Sequence, residues 1–218
     1  MKQIDFITKL HKSTKRNYLE RANNNKLHCI KEAKKFGYNY WDGNRKYGYG
    51  GYHYDGRWET VAKKIINYYK INNKSKILDI GCGKAFLLYE IFKLSGCKVK
   101  GLDISKYGIK NGKKEIRKFL KVGDCTKLPY KDKEFDLVFS LNVFHNLEIS
   151  QLESAIKEMN RVARNKKYIV VESYTNLSQK NNLLNWQLTC ESFYSKKQWL
   201  WLFKKYNYKG DYNFIYFD

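Results

Sequence analysis

Proline is almost missing from this chain: Pro129 is the only one among 218 residues, so no proline-rich linker divides it. Acidic residues are scarce as well, 21 against 43 lysines and arginines, for a net charge of +22. No apolar run approaches the roughly 20 residues of a membrane span. The start, Met1-Lys2-Gln3-Ile4-Asp5, has no long apolar stretch behind it of the kind a secretory signal needs. The expectation is a cytoplasmic protein with no membrane span. Cys29, Cys82, Cys97, Cys125 and Cys190 are odd in number and scattered, no CxxC pair exists, and the four histidines lack metal-ligand spacing. These absences argue against a disulfide framework and a structural zinc site, and no metal is expected.

Arginine is the scarcest basic residue, seven of the 43. Lysine, asparagine, tyrosine and isoleucine are all abundant, as an A+T-rich genome produces, and most lysines read as solvated surface. The planar fork of arginine pairs with two oxygens at once and is favoured where phosphate is gripped. The few arginines are therefore more informative than the total charge. An apolar content of 43% is too high for a disordered chain, and the length fits one domain with an appended lid.

Residues 3–35 read as two basic amphipathic helices around Asn23-Asn24-Asn25, with Ile4, Ile7, Leu10 and then Leu27, Ile30, Ala33 at helical spacing. Residues 36–58 change character, with nine aromatics and six glycines in 23 positions. Glu59 to about Tyr69 reads as a helix. Strands and helices then alternate. Strands are expected at Lys76–Ile80, Val99–Ile104, Phe119–Val122, Phe135–Leu141 and Tyr168–Glu172. Helices are expected at Lys84–Leu94, Lys106–Lys118, Ser150–Val162 and Lys196–Tyr206. Tyr208 to Phe217 looks like a hairpin turning near Asp211–Asn213. Such alternation implies an α/β fold, a mostly parallel sheet with helices on both faces.

The densest chemistry lies at Ile77-Leu78-Asp79-Ile80-Gly81-Cys82-Gly83-Lys84-Ala85, where a buried strand turns through glycines into a helix. Glycine allows both the sharp turn and close approach of a ligand to the backbone. Asp103 closes the second strand, 20 residues after Gly83, where an acid accepts hydrogen bonds from ribose hydroxyls. A dinucleotide site of GxGxxG form wants a small residue at position 86, which is Phe86.

The pattern Asp79-x-Gly81-x-Gly83-x-Ala85 instead resembles the cofactor motif of class I S-adenosylmethionine-dependent methyltransferases, with alanine where glycine is commoner. Val122-Gly123-Asp124-Cys125, Leu128-Pro129-Tyr130, Phe135-Asp136-Leu137-Val138-Phe139-Ser140 and Leu141-Asn142-Val143-Phe144-His145-Asn146 resemble later motifs of that family in order and spacing. The resemblance implies a Rossmann-like, seven-stranded, mostly parallel sheet with a terminal antiparallel hairpin. It implies S-adenosylmethionine as cofactor, S-adenosylhomocysteine as product, and a site of Asp79, Gly81, Cys82, Gly83, Asp103, Ile104, Asp124, Cys125 and Asn142. Residues 1–58 would form the N-terminal helices and lid, and 59–218 the methyltransferase domain.

The aromatic segment supplies the acceptor candidates. Arg45, Tyr47, Tyr49, Tyr52 and Arg57, with Trp186 further on, offer flat faces, hydroxyls and positive charge. His145, then His53, then Glu172 are the candidate general bases. The segment, with Val170-Val171-Glu172-Ser173-Tyr174 and Phe214-Ile215-Tyr216-Phe217, is similar to small methyltransferases of bacterial capsule and surface-polysaccharide clusters, including those for O-methyl phosphoramidate decorations. That resemblance implies a small, anionic or sugar-linked acceptor. A nucleic-acid acceptor is the second reading; the charge favours it, and the lack of a base-flipping motif or separate RNA-binding module opposes it.

Overall fold

The structure, a computed structural model, describes all residues, Met1–Asp218. Ten α-helices and six strands follow one another along the chain. Four short helices come first: α1 (Thr8–Lys12), α2 (Tyr18–Asn23), α3 (Lys26–Ala33) and α4 (Tyr38–Trp41). Helix α5 (Glu59–Tyr69) then leads into β1 (Lys76–Ile80), α6 (Phe86–Ser95), β2 (Lys98–Asp103), α7 (Lys106–Lys110), β3 (Leu120–Val122) and β4 (Phe135–Leu141). The chain continues through α8 (Ile149–Val162), β5 (Ala163–Glu172), α9 (Leu177–Trp186), α10 (Lys196–Lys205) and β6 (Asp211–Ile215).

The sheet has the order β3-β2-β1-β4-β5-β6, and every pairing is parallel. Successive residues of one strand feed opposite cores. Ile77, Tyr168 and Val170 pack under α5 and α6 with Ile65, Leu88 and Ile91. Leu78, Ile169 and Val171 pack under α8 and α10 with Ile156, Trp199 and Phe203. This explains the continuous apolar runs of the strands, which are covered on both faces. Helix α8 buries Leu152, Ala155, Ile156, Met159 and Val162 at helical spacing and begins on a capping box between Glu148 and Gln151.

Three expectations are corrected. The sheet has six strands, not seven, and no antiparallel hairpin. The Tyr208 hydroxyl donates to the Asp211 carbonyl at 2.6 Å, and the chain then runs straight through one strand parallel to β5. The outer edge of that strand is taken by the N-terminal segment: the Ile4 N–H donates to the Tyr212 carbonyl, and the Tyr212 N–H to the Lys2 carbonyl. Asn213 pins the same segment through Asp5 and Gln3. The helix expected to reach Lys118 stops at Lys110, and Gly112 just beyond it is pressed against Leu120, whose Cδ1 would lie 2.7 Å from any Cβ placed there.

Strand order reverses between β1 and β4. Their carboxyl ends, Ile80 and Leu141, open the crevice in which sheets of this kind bind ligands.

Candidate active site

The turn after β1 is built for close contact. Gly81 has φ +78°, and a Cβ there would lie 2.1 Å from the Val143 side chain. Gly83 has φ +55°, and its missing Cβ leaves room for the Trp41 ring 2.5 Å away. Ala85 is also left-handed, φ 58° and ψ 32°, which is why glycine is the commoner residue at that point of the motif. The Asp103 carboxylate braces the turn, accepting the Gly83 N–H and the Ser105 N–H, both at 2.7 Å. Burial raises the Asp103 carboxyl against those two hydrogen bonds. Burial, then the charge of Asp103, raises Asp79 well above the usual carboxylate range.

Two cavities meet beyond the strand ends. One, of about 230 Å³, is lined by Gly81, Asp103, Ile104, Asp124, Cys125 and Asn142, with Leu102 and Trp41 among its apolar walls. The other, of about 470 Å³, is lined by His145, Glu172, Gln187 and Trp186 together with Arg16, Arg21, Arg45 and Arg57. Tyr40, Tyr49, Asn142 and Asn146 belong to both. Asn142 sits at φ 60°, and its buried Oδ1 has no hydrogen-bond partner, so an acceptor atom is held ready where the cavities join. The smaller cavity fits an adenosine: a carboxylate at the end of β2 for ribose hydroxyls, Asp124 for an exocyclic amine, and apolar flanks for a flat ring.

In the larger cavity, His145 and Glu172 are both buried. The Glu172 N–H donates to His145 Nδ1 at 3.3 Å, which fixes the neutral tautomer with its hydrogen on Nε2. That Nε2 lies 3.5 Å from Glu172 Oε2, and the Gln187 amide donates to the same oxygen. Burial lowers His145 to about 3 and raises Glu172 to about 8, against the pull of Gln187 and Arg16. His145 thus has no lone pair to offer a substrate, whereas Glu172 keeps Oε1 free.

The aromatic segment closes both cavities and is latched down. The Lys84 ammonium, within the glycine turn, lies 2.6 Å from both Asp42 oxygens and donates to the Tyr52 carbonyl at 2.9 Å. The Tyr107 hydroxyl donates to Asp42 at 2.8 Å. Burial alone would raise the Asp42 carboxyl; Lys84 and Tyr107 outweigh it and hold it low. The Trp41 indole N–H donates to Ser105 Oγ at 2.9 Å; Trp41 stacks on Tyr49 and Tyr52 on Phe86, with the Tyr49 and Tyr52 rings tilted against each other between them.

Of the nine expected cofactor residues, six line the smaller cavity. Asp79, Cys82 and Gly83 lie outside its lining. Arg45, Arg57, Tyr49, Tyr52 and Trp186 line the larger one, although Arg57 is also paired with Asp55 at 2.5 Å and half-exposed. Tyr47 is outside both cavities and points to His28, 3.3 Å from its Nε2. His53 is exposed and lines neither. Sequence reasoning missed Arg16 and Arg21. Their signal was rarity, two more of seven arginines, hidden in segments that read as ordinary basic helices.

Residues 71–207 match the family model described as a methyltransferase domain. Among curated proteins, the chain is 33% identical over 97 residues to a sterol 24-C-methyltransferase of Gibberella zeae, covering 41% of this chain and 25% of that protein. It is 34% identical over 123 residues to norajmaline N-methyltransferase of Rauvolfia serpentina, covering 52% and 41%. It is 32% identical over 111 residues to demethylmenaquinone methyltransferase of Staphylococcus carnosus, covering 47% and 44%. The chain therefore spans less than half the length of each of these relatives. Among solved structures, the YcgJ protein of Bacillus subtilis superposes with a TM-score of 0.55 at 17% identity, over 66% of each chain. Geranyl diphosphate C-methyltransferase of Streptomyces coelicolor, solved with S-adenosyl-L-homocysteine, gives 0.54 at 14% identity, over 66% of this chain and 59% of that one; both likenesses are of fold alone. No helix of the chain is long and apolar enough to cross a membrane. With the matched segment running from just before β1 to just past α10, the chain belongs to the methyltransferase domain family, with S-adenosylmethionine as its methyl donor.

Proposed function

We propose that the protein transfers the methyl group of S-adenosylmethionine to an oxygen of a small, anionic or sugar-linked acceptor seated in the 470 Å³ cavity. The acceptor class we assign is that of bacterial capsule and surface-carbohydrate assembly, a sugar hydroxyl or a phosphoramidate oxygen. One observation carries the reading. The larger cavity shares Tyr40, Tyr49, Asn142 and Asn146 with the cavity suited to the cofactor, and it holds one buried carboxyl, Glu172, with an unengaged oxygen.

The donor supplies an electrophilic methyl on a sulfonium. The protein has to align the acceptor with it and exclude water. Asp103 and Asp124 would hold the adenosine, and the stacked Trp41 and Tyr49 would close over it. Glu172 Oε1 would take the proton of an acceptor hydroxyl, while the Gln187 amide, donating to Oε2, holds the carboxylate in place and His145 Nε2, 3.5 Å from the same oxygen, helps stabilise its charge. His145 is then a positioning residue. The relatives named above include methyltransferases of carbon and of nitrogen, so the choice of oxygen rests on this carboxyl.

Mass spectrometry of the surface glycan from cells with and without the protein tests the acceptor class. Loss of one methyl increment from the glycan is expected; an unchanged glycan would remove the capsule assignment.

A further inference from the structure

Three arginines of the larger cavity stand around one ring. The guanidinium carbons of Arg21, Arg45 and Arg16 lie 4.6, 5.1 and 5.5 Å from the Trp186 ring centroid. None of the three has an acidic partner, although the chain forms ion pairs elsewhere at Arg57, Arg161 and Arg164. Apart from a contact of Arg16 with the His11 ring, their hydrogen bonds go to main-chain carbonyls. Arg16 reaches those of His11 and Thr14, Arg21 those of Trp186 and Arg45, and Arg45 those of Gly48 and Tyr49. Such bonds orient a guanidinium and neutralise no charge. Arg21 is 8% exposed, and Arg16 Nε is buried with no partner. The one carboxyl in the cavity is Glu172, which burial favours in the neutral form.

An unpaired charge taken out of water is strongly unfavourable, and three together repel. A protein that gathers them without pairing any of them to an acid is arranged for a ligand that brings the negative charge. A carboxylate presents two oxygens and one charge, which satisfies one fork. A phosphoryl group presents up to three terminal oxygens and close to two charges, which suits several forks converging from different sides.

We propose that Arg16, Arg21 and Arg45, spaced around Trp186, form an anchoring site for a phosphate-type oxyanion carried by the acceptor. This deepens the reading above and rests on that cavity being the acceptor's. The acceptor class is then a phosphorylated or phosphoramidate-bearing small molecule, with the anion in the arginine cage.

Titration calorimetry of the full chain in a low-salt, phosphate-free buffer tests this. The probes are inorganic phosphate and pyrophosphate, each with and without saturating S-adenosylhomocysteine. Both anions are expected to bind, as well or better with S-adenosylhomocysteine present. Arg45→Gln and Arg16→Gln should each weaken pyrophosphate about tenfold or more, the loss expected of a charge-assisted hydrogen bond, and leave S-adenosylhomocysteine affinity within about twofold. Lys98→Gln, at the opposite end of β2, should change neither. A chain that binds S-adenosylhomocysteine but neither anion overturns the cage and leaves the methyltransferase reading standing. Competition between phosphate and S-adenosylhomocysteine, with Arg45→Gln losing the nucleoside, overturns it too, because the arginines would then hold the donor's own carboxylate. Anion binding weakened equally by Lys98→Gln is general charge attraction and also refutes the site. Failure of the folded chain to bind S-adenosylhomocysteine refutes the underlying reading instead.

Discussion

Removing the Asp42 carboxylate should undock the aromatic segment without unfolding the sheet. Asp42 is the one acid paired with the Lys84 ammonium, whose side chain is 5% exposed against 14% for Asp42. In Asp42→Ala the ammonium keeps only the Tyr52 carbonyl, and Tyr107 loses its acceptor. Breaking a buried pair by deleting one partner costs about 3–5 kcal/mol, mostly from the charge left behind. That is a large share of the ~5–15 kcal/mol available to a whole domain. The segment has a cheaper escape, because it is held to itself by bonds such as Tyr49 N–H to the Tyr40 carbonyl and Tyr52 N–H to the Trp41 carbonyl, while the strands under it are cross-braced independently. The loss should therefore appear as local opening.

Hydrogen exchange read by mass spectrometry should show amides of residues 40–52 exchanging about two to four orders of magnitude faster in the variant, the equivalent of about 3–5 kcal/mol. Peptides from β1, β4 and β5 should be nearly unchanged. S-adenosylhomocysteine affinity should fall, since Trp41 covers Gly83 and lines the smaller cavity. Asp42→Ala with Lys84→Met should regain most of the protection, because replacing both members of a buried pair by apolar groups is often neutral. Exchange in Asp42→Ala within about threefold of wild type, against that 3–5 kcal/mol expectation, would refute the latch. A double variant no better protected than the single one would show that stranded charge is not the cause.

Asp103→Ala should weaken S-adenosylhomocysteine about tenfold or more, two charge-assisted bonds being at stake, and unaltered affinity by calorimetry would reject the ribose assignment. Turnover with the acceptor should rise with pH toward about 8, because burial raises Glu172 to that value and only the ionised form is a base. Glu172→Gln should lose about 10²–10⁴ in rate and flatten the profile; a persistent slope would place the base elsewhere. For stability the signs oppose. Glu172 is raised, so its contribution is present below the ordinary carboxylate value and is lost as pH rises through about 8. His145 is depressed to about 3, so its contribution is present above pH 6.5 and is lost as pH falls, at about 1.4 kcal/mol per unit. Urea unfolding between pH 7 and 4.5 should show that acid-side slope reduced in His145→Gln. Ala85→Gly, at φ 58°, should raise stability by about 0.5–1 kcal/mol, the strain of a left-handed alanine less the entropy of glycine; a lower urea midpoint would show that the buried methyl group matters more.

How far the sequence could be read depended on how local the cause was. The turn from Ile77 to Ala85 was legible because each constraint, a positive φ or a missing Cβ, is met by the residue that carries it. Strands with both faces covered announced themselves as apolar runs, and β4 was placed to the residue. The end of the chain was misread because alternation along Tyr212, Phe214 and Tyr216 fits either a hairpin arm or a single buried strand. The decision is made more than 200 residues away, where Lys2 and Ile4 take the strand's free edge. The proposed acceptor site shows the same division. Arg45 and Trp186 could be suspected from their surroundings in sequence, but Arg16 and Arg21 are informative only once folding has set them around one indole with no acid paired to them. His145 is the first candidate base by its place just past β4; the structure adds a backbone N–H, that of Glu172, on its Nδ1, which is the ground for proposing Glu172 instead. A general base is defined by which lone pair faces the substrate. That property belongs to the hydrogen-bond network, and on that ground the base we propose is the Glu172 carboxylate, whose own backbone N–H occupies the histidine's Nδ1.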